Sequence, residues 1–336
     1  MLQLEINASE SYDVLIDGGL LEACGNLIRK VTDAEKALVI CGDTVEGLYA
    51  DTVLISLENA GFLASAFTYA HGEKSKTLET YGCIMKCLAT LEFSRGDVII
   101  ALGGGVTGDL AGFAAATYMR GMDFVNIPTT LLAMADSCVG GKCGVDMPQG
   151  KNMVGTFYQP KLVICDTDTL KTLPEDVYAE GWAEVVKYGI LSKNVQITTS
   201  DYYVAKLIFD CLSVKKGYVE RDEFDGGERR FLNLGHTLAH AIEEYSEYTV
   251  SHGKAVSIGL AVMTHNNSEV CEALKSHGLP VDCPYPAEEL CKLMISDKKR
   301  KGDKITLVVP AEIGRCELVD VPVSELESFI FGGCHE

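Results

Sequence analysis

Two histidines four residues apart, His236 and His240, lie in a segment whose apolar spacing predicts a helix. Residues three and four apart share a helix face, so both imidazoles and Asn233 are expected on one side. Another histidine, His252, follows after a break. Three protein ligands with one open position are typical of a catalytic metal site. The alternative is that one histidine caps a helix and the others lie on the surface.

The rest of this predicted helix divides into an apolar side and an acidic end. The buried face is predicted to comprise Leu238, Ala241, Ile242 and Tyr245, and a solvated acidic run to begin at Glu243 and Glu244.

An upstream carboxylate could complete the metal site. The segment Gly181–Gly189 places Glu184 and Lys187 on one helical face. Exposed i,i+3 ion pairs stabilise little, and such a pair is the alternative here. The apolar neighbours argue against full exposure, so Glu184 is the candidate ligand.

A glycine-rich turn follows an apolar run. Gly103, Gly105 and Gly108 fit G-x-G-x-x-G between a predicted strand and a predicted helix. Glycines let the backbone approach a pyrophosphate, and a helix N-terminus offers unpaired N–H groups. The polar turns His71–Lys74 and Pro128–Thr130 are expected at the same edge. The pattern predicts a nucleotide site, with a plain tight turn as the alternative.

Basic residues are gathered in two further segments. Ser137–Asn152 holds four glycines and two lysines, Lys142 and Lys151, on backbone predicted to be flexible. Lysine there suits a phosphate or carboxylate, and a solvated loop is the alternative. Arg229 is predicted one helical turn before Asn233, where it could bind an anion, and a basic helix face is the alternative.

The first half of the chain alternates short apolar strands with helical segments, which is typical of a parallel, doubly wound α/β sheet. The predicted strands are Lys36–Cys41, Ala64–Tyr69, Asp97–Leu102, Phe124–Ile127 and Leu162–Cys165. From about Pro174 the pattern is mainly helical, with one late strand at Ile305–Pro310. We therefore expect an α/β dinucleotide-binding domain over residues 1–176 and a helical domain over 177–336, with ligands bound in a cleft between them.

Composition excludes several classes of protein. The 336 residues are 47% hydrophobic and carry a net charge of −19, which argues against nucleic acid as a partner. No apolar run is long enough to cross a bilayer, and the N-terminal segment lacks signal-peptide features, so a soluble cytoplasmic protein is predicted. The 13 cysteines include no C-x-x-C pair, which predicts core thiols rather than a disulfide framework.

Together these motifs resemble the 3-dehydroquinate synthase family of sugar-phosphate cyclases. The resemblance runs from about Asp43 to Lys299 and is carried by GGGVTGDLAGF, PTTLLA, GGK…GKN, AEVVKYG and LNLGHTLAHAIE in the family's order. It implies a Rossmann-like domain followed by a helical metal-binding domain, NAD and a divalent metal (Zn2+ or Co2+) as cofactors, and a homodimer. The implied substrate is a small anionic sugar-acid phosphate, 3-deoxy-D-arabino-heptulosonate 7-phosphate, which is converted to 3-dehydroquinate and phosphate.

The resemblance also implies roles for individual residues. The implied metal ligands are Glu184, His236 and His252. The implied NAD contacts are Asp43, Gly72, Glu73, Lys74, Gly104, Gly105, Val106, Asp109, Thr129, Thr130, Lys151, Thr169, Leu170, Lys171 and Thr172. The implied substrate contacts are Arg120, Asp136, Lys142, Asn152, Lys187, Lys215, Arg229, Asn233 and one of Lys298 and Lys299. His240 matches a residue assigned to proton transfer, and Asp225 stands where the family usually has a glutamate of similar role.

The chain departs from the family's pattern in several places. Lys254 replaces a glutamate two residues after His252, which is expected to change the surroundings of the metal. Cys143 and Asp146 replace Thr and Asn, and Glu180 replaces an Asn that is one expected NAD contact.

Three other functions are considered beside the family's reaction. They are a related cyclase such as 2-deoxy-scyllo-inosose synthase, a metal-dependent polyol dehydrogenase, and a non-catalytic sensor of nucleotide or metal.

Overall fold

The computed structural model describes residues 1–197, 203–296, 300–301 and 303–332. The chain forms two compact units, one of Met1–Leu173 with Val204–Phe224 and one of Pro174–Tyr203 with Asp225–Glu336. The first unit's initial segment ends at Leu173, three residues before the predicted domain boundary at residue 176. The segment Val204–Phe224, predicted in the second domain, belongs to the first unit. Lys298 and Lys299 lie outside the described residues.

The strands are numbered in chain order. They are β1 Leu2–Asn7, β2 Ser11–Asp17, β3 Lys36–Gly42, β4 Leu63–Tyr69, β5 Val98–Gly103, β6 Asp123–Pro128, β7 Lys142–Met147, β8 Gly150–Phe157, β9 Leu162–Asp166, β10 Arg300–Lys301, β11 Lys304–Glu312 and β12 Arg315–Pro322.

The α-helices are numbered in the same way. They are α1 Cys24–Ile28, α2 Asp43–Val45, α3 Asp51–Asn59, α4 Leu78–Thr90, α5 Gly105–Thr117, α6 Glu175–Leu191, α7 Val204–Arg221, α8 His236–Tyr245, α9 His252–Met263, α10 Ser268–Ser276, α11 Ala287–Ser296 and α12 Leu326–Phe331.

A seven-stranded sheet in the order β1-β2-β9-β6-β5-β3-β4 organises the first unit. Every pairing is parallel except that of β1 with β2. Alternate residues of β5 enter two separate cores: Val98, Ile100 and Leu102 pack in one, and Ile99 and Ala101 in the other. Such a strand is buried on both faces, which explains its continuous apolar run. The predicted parallel α/β sheet is confirmed.

Two parts of the first unit differ from the prediction. The strands β1 and β2 were not predicted; they pair along their whole length from Leu2↔Ile16 to Asn7↔Ser11. Within Ser137–Asn152, predicted as flexible backbone, the part from Lys142 onward enters an antiparallel hairpin of β7 and β8. Gly144 and Gly155 lie opposite each other there, and a Cβ on Gly155 would lie 2.2 Å from the Cys143 carbonyl oxygen. The glycines therefore allow close backbone approach, as they do at irregular points in strands.

The second unit is mainly helical, as predicted. The predicted late strand, Ile305–Pro310, lies within β11. It pairs with β10 and β12 in an antiparallel sheet of three strands. The helix α7 packs in the first unit against β1 and β2, which explains why Val204–Phe224 belongs there. Among the described residues, no helix is long and apolar enough to cross a membrane.

Candidate functional site

Three side chains from separate helices of the second unit meet in one place. Glu184 lies within α6, and His236 and His252 are the first residues of α8 and α9. The Oε1 atom of Glu184 lies 3.2 Å from Nε2 of His236 and 3.5 Å from Nε2 of His252. One ligand atom from each residue lies within 4.8 Å of the others. Among the described residues, this is the one group with the composition and spacing of a metal site.

The donor set fits a divalent transition metal. One carboxylate with two imidazoles leaves an open position on a tetrahedral ion, which is the arrangement of catalytic zinc. His236 is suited to metal ligation through Nε2, because its Nδ1 lies 3.0 Å from the Leu234 carbonyl oxygen. An Nδ1–H that donates to this carbonyl leaves the Nε2 lone pair for a metal. Zn2+ and Co2+ are both compatible with these ligand types.

The charges around Glu184 explain why its carboxylate stays ionised. Glu184 is 1% exposed, and Nζ of Lys187 lies 2.5 Å from its Oε2. Burial raises the pKa of the Glu184 carboxyl, but Lys187 and His236 outweigh it and hold the pKa well below its usual range. The predicted placement of Glu184 and Lys187 on one helical face is confirmed, and the pair is buried rather than solvated.

Close helix packing sets the positions of the ligands. A Cβ on Gly253 would lie 2.5 Å from Cβ of Glu180 on α6, and a Cβ on Gly259 would lie 2.2 Å from the Gly235 carbonyl oxygen. Gly253 follows His252, and Gly235 precedes His236. The two glycines of α9 therefore allow the segments that carry the ligands to approach at backbone distance.

The helix that carries His236 differs in part from the prediction. It begins at His236, because Gly235 adopts a left-handed conformation with φ of +75°. Asn233 ends a separate 3-10 turn, Glu228–Asn233, and so does not share the helix face of the imidazoles. Arg229 lies in the same turn and is 2% exposed.

Burial along α8 corrects two further predictions. Leu238, Ala241 and Ile242 are buried as predicted, but Tyr245 is 41% exposed. Glu243, predicted to be solvated, is 2% exposed, and its Oε1 lies 3.5 Å from Nδ1 of His252. The helical period could have revealed this residue, because Glu243 lies seven positions after His236 and three after His240.

His240 lies near the ligand group without belonging to it. Its ring centroid is 6.0 Å from that of His236 and 6.5 Å from that of His252. The side chain is exposed. His240 therefore lies outside the ligand group, and its role in proton transfer stays a prediction.

The predicted NAD contacts of the first unit follow the carboxyl ends of parallel strands. Asp43, Gly104, Thr129 and the 3-10 turn Thr167–Thr172 come directly after β3, β5, β6 and β9, and Gly72 follows β4 closely. Parallel strands bring these ends to one edge of the sheet, which is where α/β folds bind nucleotides.

Neighbouring loops at this edge are hydrogen-bonded. The Thr129 N–H donates to the Gly103 carbonyl oxygen at 3.0 Å, and Oδ1 of Asp43 lies 2.6 Å from Nδ1 of His71. The exposed carboxylate of Asp43 has its pKa lowered by the hydrogen bond from His71. The glycine turn opens α5 at Gly105, so the N-terminus of that helix points out of the same edge.

A buried lysine joins two predicted contact regions within the first unit. Nζ of Lys76, which is 4% exposed, lies 2.6 Å from Oδ2 of Asp109 and 2.5 Å from Oδ1 of Asn152. Lys151 lies 3.6 Å from Glu73 across the same region. Sequence reasoning missed Lys76, because a lysine two positions after the polar turn His71–Lys74 carries no periodic signal.

Asp136 and Lys215, both predicted substrate contacts, are paired. Nζ of Lys215 lies 3.2 Å from Oδ1 of Asp136 and donates to its backbone carbonyl oxygen at 2.7 Å. Lys142 begins β7 with an exposed side chain. Arg120 follows the far end of α5, roughly 20 Å along that helix from the glycine turn.

Three predicted site residues adopt a left-handed backbone that side chains with a Cβ rarely adopt. They are Arg120 with φ of 68°, Asn152 with φ of 53° and Asp225 with φ of 59°. Strain of this kind costs about 1–3 kcal/mol for each residue.

Two family models and a relative with a known name match most of the chain. The family models described as 3-dehydroquinate synthase N-terminal and C-terminal match residues 66–180 and 181–300. The 3-dehydroquinate synthase of Clostridium kluyveri is 38% identical over 354 residues, which cover 98% of this chain and 99% of that protein.

Two solved structures show the same fold. A 2-deoxy-scyllo-inosose synthase complexed with carbaglucose-6-phosphate, NAD+ and Co2+ aligns with a TM-score of 0.87 at 24% identity, over 98% of this chain and 99% of that one. A 2-epi-5-epi-valiolone synthase from Streptomyces hygroscopicus subsp. jinggangensis with NAD+ and Zn2+ bound aligns with a TM-score of 0.86 at 22% identity, over 99% of both chains. From the family models and the sequence identity over nearly its whole length, this chain belongs to the 3-dehydroquinate synthase family.

Proposed function

We propose that the chain converts 3-deoxy-D-arabino-heptulosonate 7-phosphate to 3-dehydroquinate and phosphate, using NAD and a divalent metal held by Glu184, His236 and His252. The reaction proceeds by transient oxidation, phosphate elimination, re-reduction and intramolecular aldol closure. The observation that carries the proposal is the convergence of these three ligand atoms within 4.8 Å from three helices. The chain that carries these three residues belongs to the 3-dehydroquinate synthase family.

The two cofactors supply chemistry that side chains lack. A divalent metal held by Glu184, His236 and His252 would supply a Lewis acid that acidifies a substrate hydroxyl group. NAD bound at the predicted sheet edge would supply a reversible hydride acceptor, so the overall reaction would involve no net oxidation.

The residues of the second unit supply binding and proton transfer. Lys187 and Arg229 are buried cations that suit the anionic groups of the substrate, Arg229 by bidentate hydrogen bonds. His240 is proposed to relay a proton, because its ring is exposed beside the ligand group. Asp225 and Asn233 are proposed to assist with proton transfer and hydroxyl binding.

The first unit contributes the predicted NAD edge and further substrate contacts. Lys142 and Asn152 are proposed to bind phosphate, and Lys215, held by Asp136, another anionic group. Arg120 lies at the far end of α5, so we propose that it serves the neighbouring subunit of a homodimer. The homodimer and a cytoplasmic location remain predictions.

The reaction can be tested with the sugar-acid phosphate and a catalytic amount of NAD. One phosphate should be released for each substrate molecule consumed. The NADH concentration, measured from its absorbance, should stay below the concentration of enzyme. Accumulation of NADH in step with phosphate would contradict the transient oxidation.

Metal removal tests the ligand assignment. Treatment with a chelator should abolish phosphate release, and added Zn2+ or Co2+ should restore it, because the open position is needed for substrate. Full turnover in protein shown to be metal-free would refute the assignment.

Substrate comparison separates the other candidate functions. Phosphate release from glucose 6-phosphate would indicate an inosose-type cyclase, and net NADH formation with glycerol would indicate a polyol dehydrogenase. A folded, metal-loaded protein without any turnover would indicate a sensor.

A further inference from the structure

The two proposed histidine ligands, His236 and His252, differ in the group that contacts their Nδ1 atom. In both, Nε2 faces Glu184, and the opposite ring nitrogen, Nδ1, faces an acceptor. For His236 the acceptor is the Leu234 backbone carbonyl. For His252 it is the Glu243 carboxylate, with Oε1 at 3.5 Å from Nδ1. The orientation of His252 therefore depends on a side chain, whereas that of His236 depends on the backbone.

Glu243 is buried, although the glutamate next to it in the sequence, Glu244, is exposed. Its side chain is 2% exposed, between the buried Ile242 and the exposed Glu244. Taking a carboxylate out of water is costly unless a charged or hydrogen-bonding partner compensates for it. His252 supplies that compensation, and the contact joins α8 to α9.

We propose that Glu243 is a positioning residue for the metal: it accepts the Nδ1–H of His252 and directs Nε2 toward the ion. This inference rests on the proposed function. Glu243 is not itself a ligand, because its carboxylate faces the ring nitrogen that points away from Glu184. A carboxylate behind a ligating histidine fixes the tautomer and strengthens the nitrogen as a ligand.

The arrangement also accounts for the departure at Lys254. The side chain of Lys254 is exposed, although it lies only two residues after His252. The carboxylate behind His252 comes instead from α8. A lysine at position 254 is therefore compatible with an intact metal site.

The test compares Glu243→Gln with the neighbouring control Glu244→Gln. Zinc affinity is measured by competition with a chromophoric chelator, and the visible spectrum of the cobalt-loaded protein reports ligand geometry. We expect Glu243→Gln to weaken zinc binding by about 10- to 100-fold and to alter the cobalt bands. Glu244→Gln and Lys254→Glu should match the unchanged chain in both measurements. Circular dichroism of the metal-free variants establishes that they are folded.

A second measurement does not depend on any variant at position 243. In the zinc-loaded, unchanged chain, nitrogen NMR should show His252 protonated at Nδ1 and ligated through Nε2. Ligation through Nδ1, or zinc affinity of a folded Glu243→Gln variant equal to that of the Glu244→Gln control, would overturn the proposal. Failure of the unchanged chain to bind zinc or cobalt would instead refute the metal assignment in the proposed function.

Discussion

His236 and His240 are separated by one helical turn, but we propose metal binding for His236 and proton transfer for His240. Nε2 of His236 lies 3.2 Å from Glu184, whereas the His240 ring is exposed and lies outside the ligand group. Helical spacing alone placed both imidazoles on one face and could not assign the metal to either. The difference arises from His252, which approaches from α9 and completes the site on the His236 side.

Substitution separates these two roles. His236→Ala should lose both metal and turnover, because it removes a ligand. His240→Asn should keep zinc affinity within about twofold while kcat falls by roughly 10²- to 10⁴-fold, the usual contribution of a proton-transfer group. Zinc content and phosphate release measured on the same samples give the comparison. Loss of zinc from a folded His240→Asn protein would show that His240 is a ligand.

Metal affinity should depend on pH through His252. Burial lowers the pKa of His252, but the carboxylates of Glu184 and Glu243 outweigh it and raise the pKa to about 10. Burial lowers the pKa of His236 to about 4. With these pKa values His252 is expected to be an imidazolium in the metal-free protein at neutral pH, and the metal must displace the proton on its Nε2.

Because the proton binds only the metal-free form, lower pH favours that form. The apparent zinc affinity should rise about tenfold per pH unit between roughly pH 6 and 8. Calorimetry in buffers of different ionisation enthalpy should detect about one proton released per zinc ion. A pH-independent affinity would show that His252 is neutral before the metal binds.

At the scale of helices, the site depends on glycines that sequence reasoning did not select. Gly253 allows α9 to meet α6 at a distance that a Cβ would block. Gly253→Ala should destabilise the fold by about 1–3 kcal/mol through overpacking and weaken zinc binding as His252 is displaced. Gly82→Ala is the matched control, because Gly82 lies within α4 with nothing within 4 Å of the added Cβ.

That control should be neutral or stabilising by up to about 1 kcal/mol, since alanine favours the helix. Urea unfolding and zinc competition measure the two effects. Equal stability and affinity in Gly253→Ala and Gly82→Ala would mean that the helices can separate without moving the ligands.

Elements with a strong pattern were predicted well, and elements with a weak one were not. The apolar run of β5 identified a doubly buried strand, because both faces of that strand pack in cores. The β7–β8 hairpin was predicted as flexible, because its glycines, lysines and polar residues resemble a loop. Its strand character comes from pairing between Lys142–Val145 and Val154–Phe157, which local composition does not reveal.

At the scale of the whole molecule, the two ligand sets belong to different compact units. Glu184, His236 and His252 lie in the second unit, and the predicted NAD edge lies in the first. Hydrogen exchange can test this division. Zinc alone should slow exchange mainly in α6, α8 and α9, and NAD alone mainly in the loops after β3, β5 and β6, since ligands protect the segments that they order.

The Gly253→Ala protein provides the control, because its response to zinc should weaken while its response to NAD is retained. Protection by NAD confined to the second unit would contradict the nucleotide site at the sheet edge.

The sequence by itself determined the family, the parallel sheet and the glycine turn, and through the family resemblance it predicted Glu184, His236 and His252 as metal ligands. These features are carried by local residue types, by short spacings and by periodicity, all of which are visible along one chain. Tertiary structure alone decided that Glu243 is buried behind His252, that Lys76 joins Asp109 to Asn152, and that α7 packs with the first unit. Each of these depends on contacts between segments distant in sequence, and the free energy of such contacts is set by packing and desolvation rather than by local pattern.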